Sequence, residues 1–271
     1  MSDSPSTSAN YQPPVDALLT VGRKYVHMQG RKHWHNYIET FGFTDADVPE
    51  LIRMATDLDL NLEASSTEVW APLHAWRSLG QLRAISTIAS LFDNFEALEE
   101  DDYLREDIQE VAALIGPETI PILTQYLTDP DNNLYLRWCC IDSLVEIWQD
   151  YPDAQADCLA VIVHQLQQFS RNNKTLNGAL VSALIKMEAV DQAKLIKQAF
   201  AAKRVEPRVV GDWIEVQRLL GLISATDAEE QRFYVDAEHL SQKATKPIST
   251  NPKGFGSGAS NKKLGSKKKK K

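Results

Sequence analysis

The feature that most constrains this chain is a series of apolar residues that recur at spacings of three and four. One such set, which precedes a turn at Gly116 and a second apolar segment, is Leu104, Ile108, Val111, Ala112 and Ile115. This spacing places the apolar side chains on one face of a helix. Similar pairs of segments recur at intervals of about 35 residues, which predicts a row of helix pairs.

The predicted fold class is all-α, in the form of an α-solenoid of stacked antiparallel helix pairs. One helix pair cannot bury its apolar face alone, whereas stacked neighbours share a continuous core. Gly80 and Gly116 lie 36 residues apart and are interpreted as the same bend between paired helices. The chain has no sustained alternation of apolar and polar residues, so no sheet is expected.

The composition changes along the chain and suggests four regions. Residues 1–14 are rich in Ser, Thr, Pro and Asn and are predicted to be a disordered arm. Residues 15–66 are predicted to be an N-terminal helical cap, whose last helix runs from about Val48 to Leu58 behind a capping box at Asp47 to Glu50. Residues 67–223 are predicted to hold the repeated helix pairs, and residues 224–271 a polar linker and a basic disordered tail.

Charge is strongly segregated along the sequence. From Lys243 to Lys271 there are ten Lys and no Asp or Glu, so the rest of the chain has 37 acidic and 29 − 10 = 19 basic residues, a net charge of −18. An acidic body repels phosphate, so RNA or ribosome binding is assigned to the tail. Solubilisation, or folding back of the tail onto the acidic body, are the alternatives. The basic residues expected to bind nucleic acid or an acidic partner are Lys262, Lys263, Lys267, Lys268, Lys269, Lys270 and Lys271.

A cytoplasmic location is expected from several weak signals. No apolar stretch approaches the roughly 20 residues that cross a bilayer, and the first ten residues include no basic residue, unlike a secretion signal. The cysteines, Cys139, Cys140 and Cys158, are expected to be reduced and partly buried. No membrane span is therefore predicted.

Two segments resemble HEAT-like repeats of the phycobilisome-lyase-like kind. They are Trp70-Ala-Pro-Leu-His-Ala-Trp-Arg-Ser-Leu-Gly80 and Ile115-Gly-Pro-Glu-Thr-Ile-Pro-Ile-Leu123, and residues 134–200 follow the same plan less closely. The chain is also similar to a group of bacterial proteins with such repeats. The resemblance implies that residues 67–223 are HEAT-like and bind other proteins. Some relatives attach or remove bilin pigments, which implies a lyase or chaperone of phycobiliproteins as an alternative.

The tail also resembles a known motif. Asn251-Pro-Lys-Gly-Phe-Gly-Ser-Gly258, followed by lysines, resembles the zinc-binding tail of the Sec translocase ATPase. Lys253 and Phe255 stand where that motif has cysteines, so zinc binding is not expected here.

No short catalytic motif is present: there is no phosphate loop, no Gly-x-Ser-x-Gly, no His-Glu-x-x-His and no Cys-x-x-Cys. The predicted function is therefore a non-catalytic scaffold or adaptor, without metal or cofactor, that binds another protein. Large aromatics serve as core or as interface anchors, and an acidic rim can meet a basic partner. The predicted partner contacts are Trp70, His74, Trp76, Asp101, Asp102, Arg137, Asp212 and Trp213.

Overall fold

Helices make up the regular secondary structure of this protein. A computed structural model describes residues 10–27, 30–63, 67–98 and 102–233, and none of these residues forms a strand. This confirms the all-α prediction. Within the same ranges, no helix is both long enough and apolar enough to cross a bilayer. The disordered arm (1–14) and basic tail (224–271) predicted from sequence lie largely outside the described residues.

The N-terminal part contains short helices joined by turns. A 3₁₀ helix at Val15–Thr20 is followed by turns, a second 3₁₀ helix at Arg31–His33, and α1 at Tyr37–Phe41. The helix α2 spans Val48–Ala55, which is shorter than predicted, and a π-helical segment at Asp59–Glu63 follows it. The capping box of α2 was also misplaced: Thr44 and Asp47 form it one turn earlier, where the Thr44 N–H donates to Asp47 Oδ2 at 2.8 Å.

More helices follow, most of them longer, and apolar residues from each of them enter a common core. Their bounds are α3 (Ala71–Gln81), α4 (Ser86–Asp93), α5 (Phe95–Leu98), α6 (Asp102–Ile115), α7 (Ile120–Thr128), α8 (Leu134–Asp150), α9 (Gln155–Gln167), α10 (Lys174–Lys186), α11 (Ala193–Ala201), α12 (Pro207–Val210) and α13 (Trp213–Leu219).

The helices contact one another in a regular order. In one set, α3 packs on α6, α6 on α8, α8 on α10 and α10 on α12. In the other set, α7 packs on α9, α9 on α11 and α11 on α13, while α8 and α9, and α9 and α10, join the two sets. The apolar residues between them form one continuous cluster from Tyr11 to Leu220. This cluster lies within the first of two compact parts of the chain, which ends at Ala228.

Gly80 is not the bend that its sequence position suggested. It lies inside α3, where an added Cβ would stand 3.4 Å from Val111 Cα and 3.3 Å from Leu114 Cδ1 of α6. The turn comes after α3, and there Arg83 has a φ of 56°. Gly116 does form a bend, with a φ of 103° that favours glycine. The first glycine thus serves close helix packing and the second serves chain reversal.

The turns before α8 and α10 are built alike, around Asn-Asn pairs 40 residues apart. The second Asn of each pair, Asn133 or Asn173, accepts a hydrogen bond from the N–H two residues later, at 2.7 and 2.8 Å. The first, Asn132 or Asn172, donates to a carbonyl of the preceding helix at 2.9 and 2.8 Å. Each pair therefore ends one helix and starts the next.

Candidate functional site

A largely irregular segment crosses α3, α6 and α8, which pack on one another in that order. We call its described residues, 22–27 and 30–36, the strap. The strap is basic: between Gly22 and Asn36 the sequence has four Lys or Arg, three His and no Asp or Glu. It contacts side chains of α3, α6 and α8, so it links helices that are distant in sequence.

A polar stripe on α3 binds the main chain of the strap. The stripe consists of His74, Arg77 and Gln81, which share a face because they are three and four residues apart. Gln81 Nε2 donates to the His35 carbonyl at 2.7 Å, and Gln81 Oε1 accepts from the N–H of Tyr37 at 2.9 Å. These bonds satisfy a carbonyl of the strap and the first N–H of α1, which has no partner within its own helix.

His74 is fully buried and uses both ring nitrogens. Nε2 lies 2.8 Å from the Gly22 carbonyl, which can only accept, so Nε2 carries the proton. Nδ1 then accepts from the Tyr37 hydroxyl at 2.7 Å. Burial lowers the pKa of His74 to about 4, so the ring is neutral near pH 7. The arrangement makes His74 a structural connection between strap, α1 and α3.

Arg77 and Asp107 form a buried ion pair beneath the strap. Arg77 Nε donates to Asp107 Oδ2 at 2.6 Å, and Trp76 Nε1 donates to the same oxygen at 3.0 Å. Arg77 Nη1 donates to the Tyr25 carbonyl at 3.1 Å. Burial raises the pKa of Asp107, and the Arg77 hydrogen bonds oppose this rise. The guanidinium is thus shared between α6 and the strap backbone.

Arg31 of the strap is surrounded by three carboxylates. Its guanidinium bonds to Glu110 of α6, to Glu146 of α8 at 3.0 Å and to Asp150 of α8 at 2.6 Å. Burial alone would lower the pKa of Arg31, but hydrogen bonds to Asp150, Glu110 and Glu146 outweigh it and raise the pKa. Arg31 therefore stays charged and fastens the strap across α6 and α8.

Two cavities of about 390 Å³ each flank the Arg31 ion pairs. The first lies between the strap and α6, and its lining includes Val26, Arg77, Tyr103, Glu106, Asp107 and Glu110. The second lies at the turns that follow α3, α6 and α8, and its lining includes Arg83, Glu118, Asp150, Tyr151, Asp153 and Asp157. Glu110 lines the first cavity and Asp150 lines the second, and both carboxylates bind the Arg31 guanidinium, so Arg31 lies between the two cavities.

Three predicted partner contacts lie in the interior. His74 and Trp76 are 0% exposed, and Arg137 is nearly as buried, with Nε donating to the Leu127 carbonyl at 2.8 Å. Such side chains have no surface to offer a partner. They belong to the core and its hydrogen-bond network. The strap covers this part of α3, and α7 covers Arg137.

Three other predicted contacts lie nearer the surface. Trp70 is half-buried, edge-on to Tyr103 at 5.5 Å between ring centroids. Asp212 is the N-cap of α13 and accepts from the Glu215 N–H at 2.8 Å. Trp213 follows it and packs near Phe200, with 5.9 Å between ring centroids. Among the described residues, α13 packs on α11 and not closely on the helix that ends at Trp70.

The remaining predicted contacts lie outside the described residues. They are Asp101, the side chain of Asp102, and the tail lysines Lys262, Lys263, Lys267, Lys268, Lys269, Lys270 and Lys271.

The sequence-based site omitted Arg31 and its three carboxylates. Their pairing joins residues between 79 and 119 positions apart, which no local spacing reveals. The one available signal was the basic run from Gly22 to Asn36 in an otherwise acidic body. In the part of the chain that the structure describes, no group of three or more His, Cys, Asp or Glu is arranged to hold a metal ion.

Comparison with protein-family models, curated proteins and solved structures gives no match to this chain. Its function is therefore inferred from its own residues and geometry.

Proposed function

We propose that this chain is a non-catalytic scaffold or adaptor that binds another protein in the cytoplasm through a HEAT-like α-solenoid. The observation that carries the proposal is the order of helix contacts. First helices α3, α6, α8 and α10 pack in sequence, and second helices α7, α9 and α11 do the same. Each helix pair then contacts its neighbours in turn, as repeat arrays require.

Such an array offers a long surface for a protein partner. Its outward positions on α8 combine polar and aromatic side chains: Tyr135 is 49% exposed, while Trp138, Asp142 and Glu146 are half-buried. Aromatic anchors with a polar surround are typical of protein interfaces. This surface supports a binding role for the outer side of the first helices.

The described side chains with the strongest catalytic chemistry are poorly placed for it. His74 is buried with both nitrogens bonded, and burial raises the pKa of the Cys140 thiol well above its usual range. A neutral, enclosed thiol is a poor nucleophile. These placements favour binding over catalysis.

A pigment-handling role fits the cavities less well than protein binding does. Four of the nine residues that line the first cavity and five of the nine that line the second are charged, whereas a bilin presents an extended conjugated ring system that prefers apolar and aromatic walls. The charged lining favours a polypeptide with charged side chains.

Site-specific photo-crosslinking tests the scaffold proposal. The full chain would carry a photoreactive residue at exposed Gln149 on α8, or, as the matched control, at Ser266 in the tail. We expect proteins of the native cell to crosslink at position 149. The same crosslinks should form when the seven tail lysines from Lys262 onward are changed to Gln. Loss of the partner on tail neutralisation, or turnover of a defined substrate by the purified chain, would exclude the proposal.

A further inference from the structure

We propose that the surface on both sides of Arg31 is a docking site for a basic polypeptide segment, whose Lys or Arg side chains enter the two cavities. This inference rests on the proposed scaffold function and names the class of partner.

The walls of the two cavities are connected by the ion pairs of Arg31. Glu110 lines the first cavity and Asp150 lines the second, and Arg31 bonds to both. An extended segment with side chains in both cavities would therefore pass close to Arg31. The Arg31 guanidinium also shows the chemistry of the surface, because it binds three carboxylates supplied by α6 and α8.

The cavity walls suit a long basic side chain. Val26 and Tyr103 give the first cavity apolar wall area, and Pro117, Tyr151 and Pro152 do so in the second. Lys and Arg have aliphatic stems that pack on apolar walls while their charged heads reach polar groups. Exposed carboxylates can pair with the charged groups of such side chains: Glu106 in the first cavity, and Asp153 and Asp157 in the second.

The net charge of the two cavities is negative. The residues that line the two cavities, together with Arg31 and Glu146, include eight carboxylates and the three guanidinium groups of Arg31, Arg77 and Arg83, a net formal charge of −5. Their distribution repels nucleic acid and anionic membranes and attracts cations. The apolar walls then select a basic polypeptide over a simple inorganic ion.

A peptide-binding measurement tests this assignment. The probe is a fluorescein-labelled peptide of 12 residues with four Arg separated by Ser and Ala, and its neutral counterpart carries citrulline in place of Arg. Fluorescence anisotropy with the full chain at about 0.1 M salt keeps long-range attraction small, because charges are screened beyond about 10 Å. We expect the arginine peptide to bind and the citrulline peptide to bind at least tenfold more weakly.

Two charge-matched triple variants locate the binding. The cavity variant is Glu106→Gln, Asp153→Asn and Asp157→Asn, and the control variant is Glu96→Gln, Asp131→Asn and Asp191→Asn. All six positions are exposed, so both variants should fold as the original chain does, which circular dichroism and thermal unfolding would verify. We expect about tenfold weaker binding of the arginine peptide by the cavity variant and less than threefold weaker binding by the control variant.

Equal loss in the two variants would overturn the inference, because it would reduce binding to general attraction by an acidic protein. So would unchanged binding by the cavity variant, or equal binding of the citrulline peptide. Failure here with photo-crosslinking still positive at Gln149 would leave the scaffold function in place. Loss of that crosslinking would instead remove the function itself.

Discussion

The guanidinium of Arg77 donates to both carboxylate oxygens of Asp107, from Nε to Oδ2 at 2.6 Å and from Nη2 to Oδ1 at 3.1 Å. Both side chains are almost fully buried. The pair joins α3 to α6 beneath the strap, and the same guanidinium also donates to the Tyr25 carbonyl. Several consequences of this and neighbouring contacts can be measured.

Asp107→Asn should destabilise the fold strongly. The change leaves the buried Arg77 charge without its counter-charge, and loss of one partner of a buried pair costs about 3–5 kcal/mol. Urea unfolding followed by circular dichroism would measure the loss, with exposed Asp191→Asn as the control that should change little. An equal, small effect of both changes would show that Arg77 is solvated or paired elsewhere.

The stability of the protein should fall in mild acid because of His74. Its folded pKa is lowered to about 4 from an ordinary value of 6.5, so the unfolded state takes up a proton first as the pH falls. The stabilisation by neutral His74 is complete above pH 6.5 and declines toward pH 4, by about 3 kcal/mol in total. Urea midpoints between pH 7 and 4.5 would show this slope.

The control for that slope is His74→Gln, which cannot titrate. This variant should be less stable than the original chain at pH 7, yet its stability should depend less on pH between 6.5 and 4. Identical pH profiles for the two proteins would assign the acid sensitivity to other groups.

Arg31→Ala should loosen the strap. Removal of the guanidinium leaves Glu110, Glu146 and Asp150 close together without a cation, which we expect to cost about 1–3 kcal/mol. Hydrogen exchange of the amides in residues 22–36 should become faster. Arg218→Ala removes a more exposed ion pair with Glu215 and should change stability little. Similar effects of both variants would contradict the role of Arg31 in holding the strap.

Gly178→Ala should disturb the contact between α10 and α12. An added Cβ would stand 2.8 Å from Val209 Cβ, so the helices must move apart, at a cost of about 1–3 kcal/mol. This exceeds the gain of about 1 kcal/mol that Ala brings inside a helix. Gly80→Ala is the comparison, because its nearest contact is the flexible end of Leu114 at 3.3 Å. Thermal unfolding should rank Gly178→Ala as the more damaging change.

Local spacing was sufficient to predict the helices but not what covers them. Apolar residues at intervals of three and four correctly indicated an all-α chain, because helical periodicity depends on neighbouring residues only. The same reasoning placed His74 and Trp76 on an interaction surface, although the structure buries them. The cover comes from the strap and from α6, at distances along the chain that periodicity cannot detect.

Glycine and arginine show the same limit in two further cases. Gly80 looked like a bend because glycine often ends helices, yet it lies inside α3 against the backbone of Val111. The role of Arg31 could not be predicted from its local sequence, because it depends on Glu110, Glu146 and Asp150 from two later helices. Ion pairs between distant segments are set by the fold as a whole.

The polar stripe of α3 holds the strap by main-chain atoms, at the carbonyls of Gly22, Tyr25 and His35. Every amino acid supplies such a carbonyl, so attachment at these points is indifferent to which side chains the strap carries. Tolerance of substitution is therefore unequal across this contact. Apart from Arg31, whose side chain fastens the strap to α6 and α8, the strap can exchange its exposed side chains, and with them the character of the first cavity's rim, while His74, Arg77 and Gln81 must keep their identities.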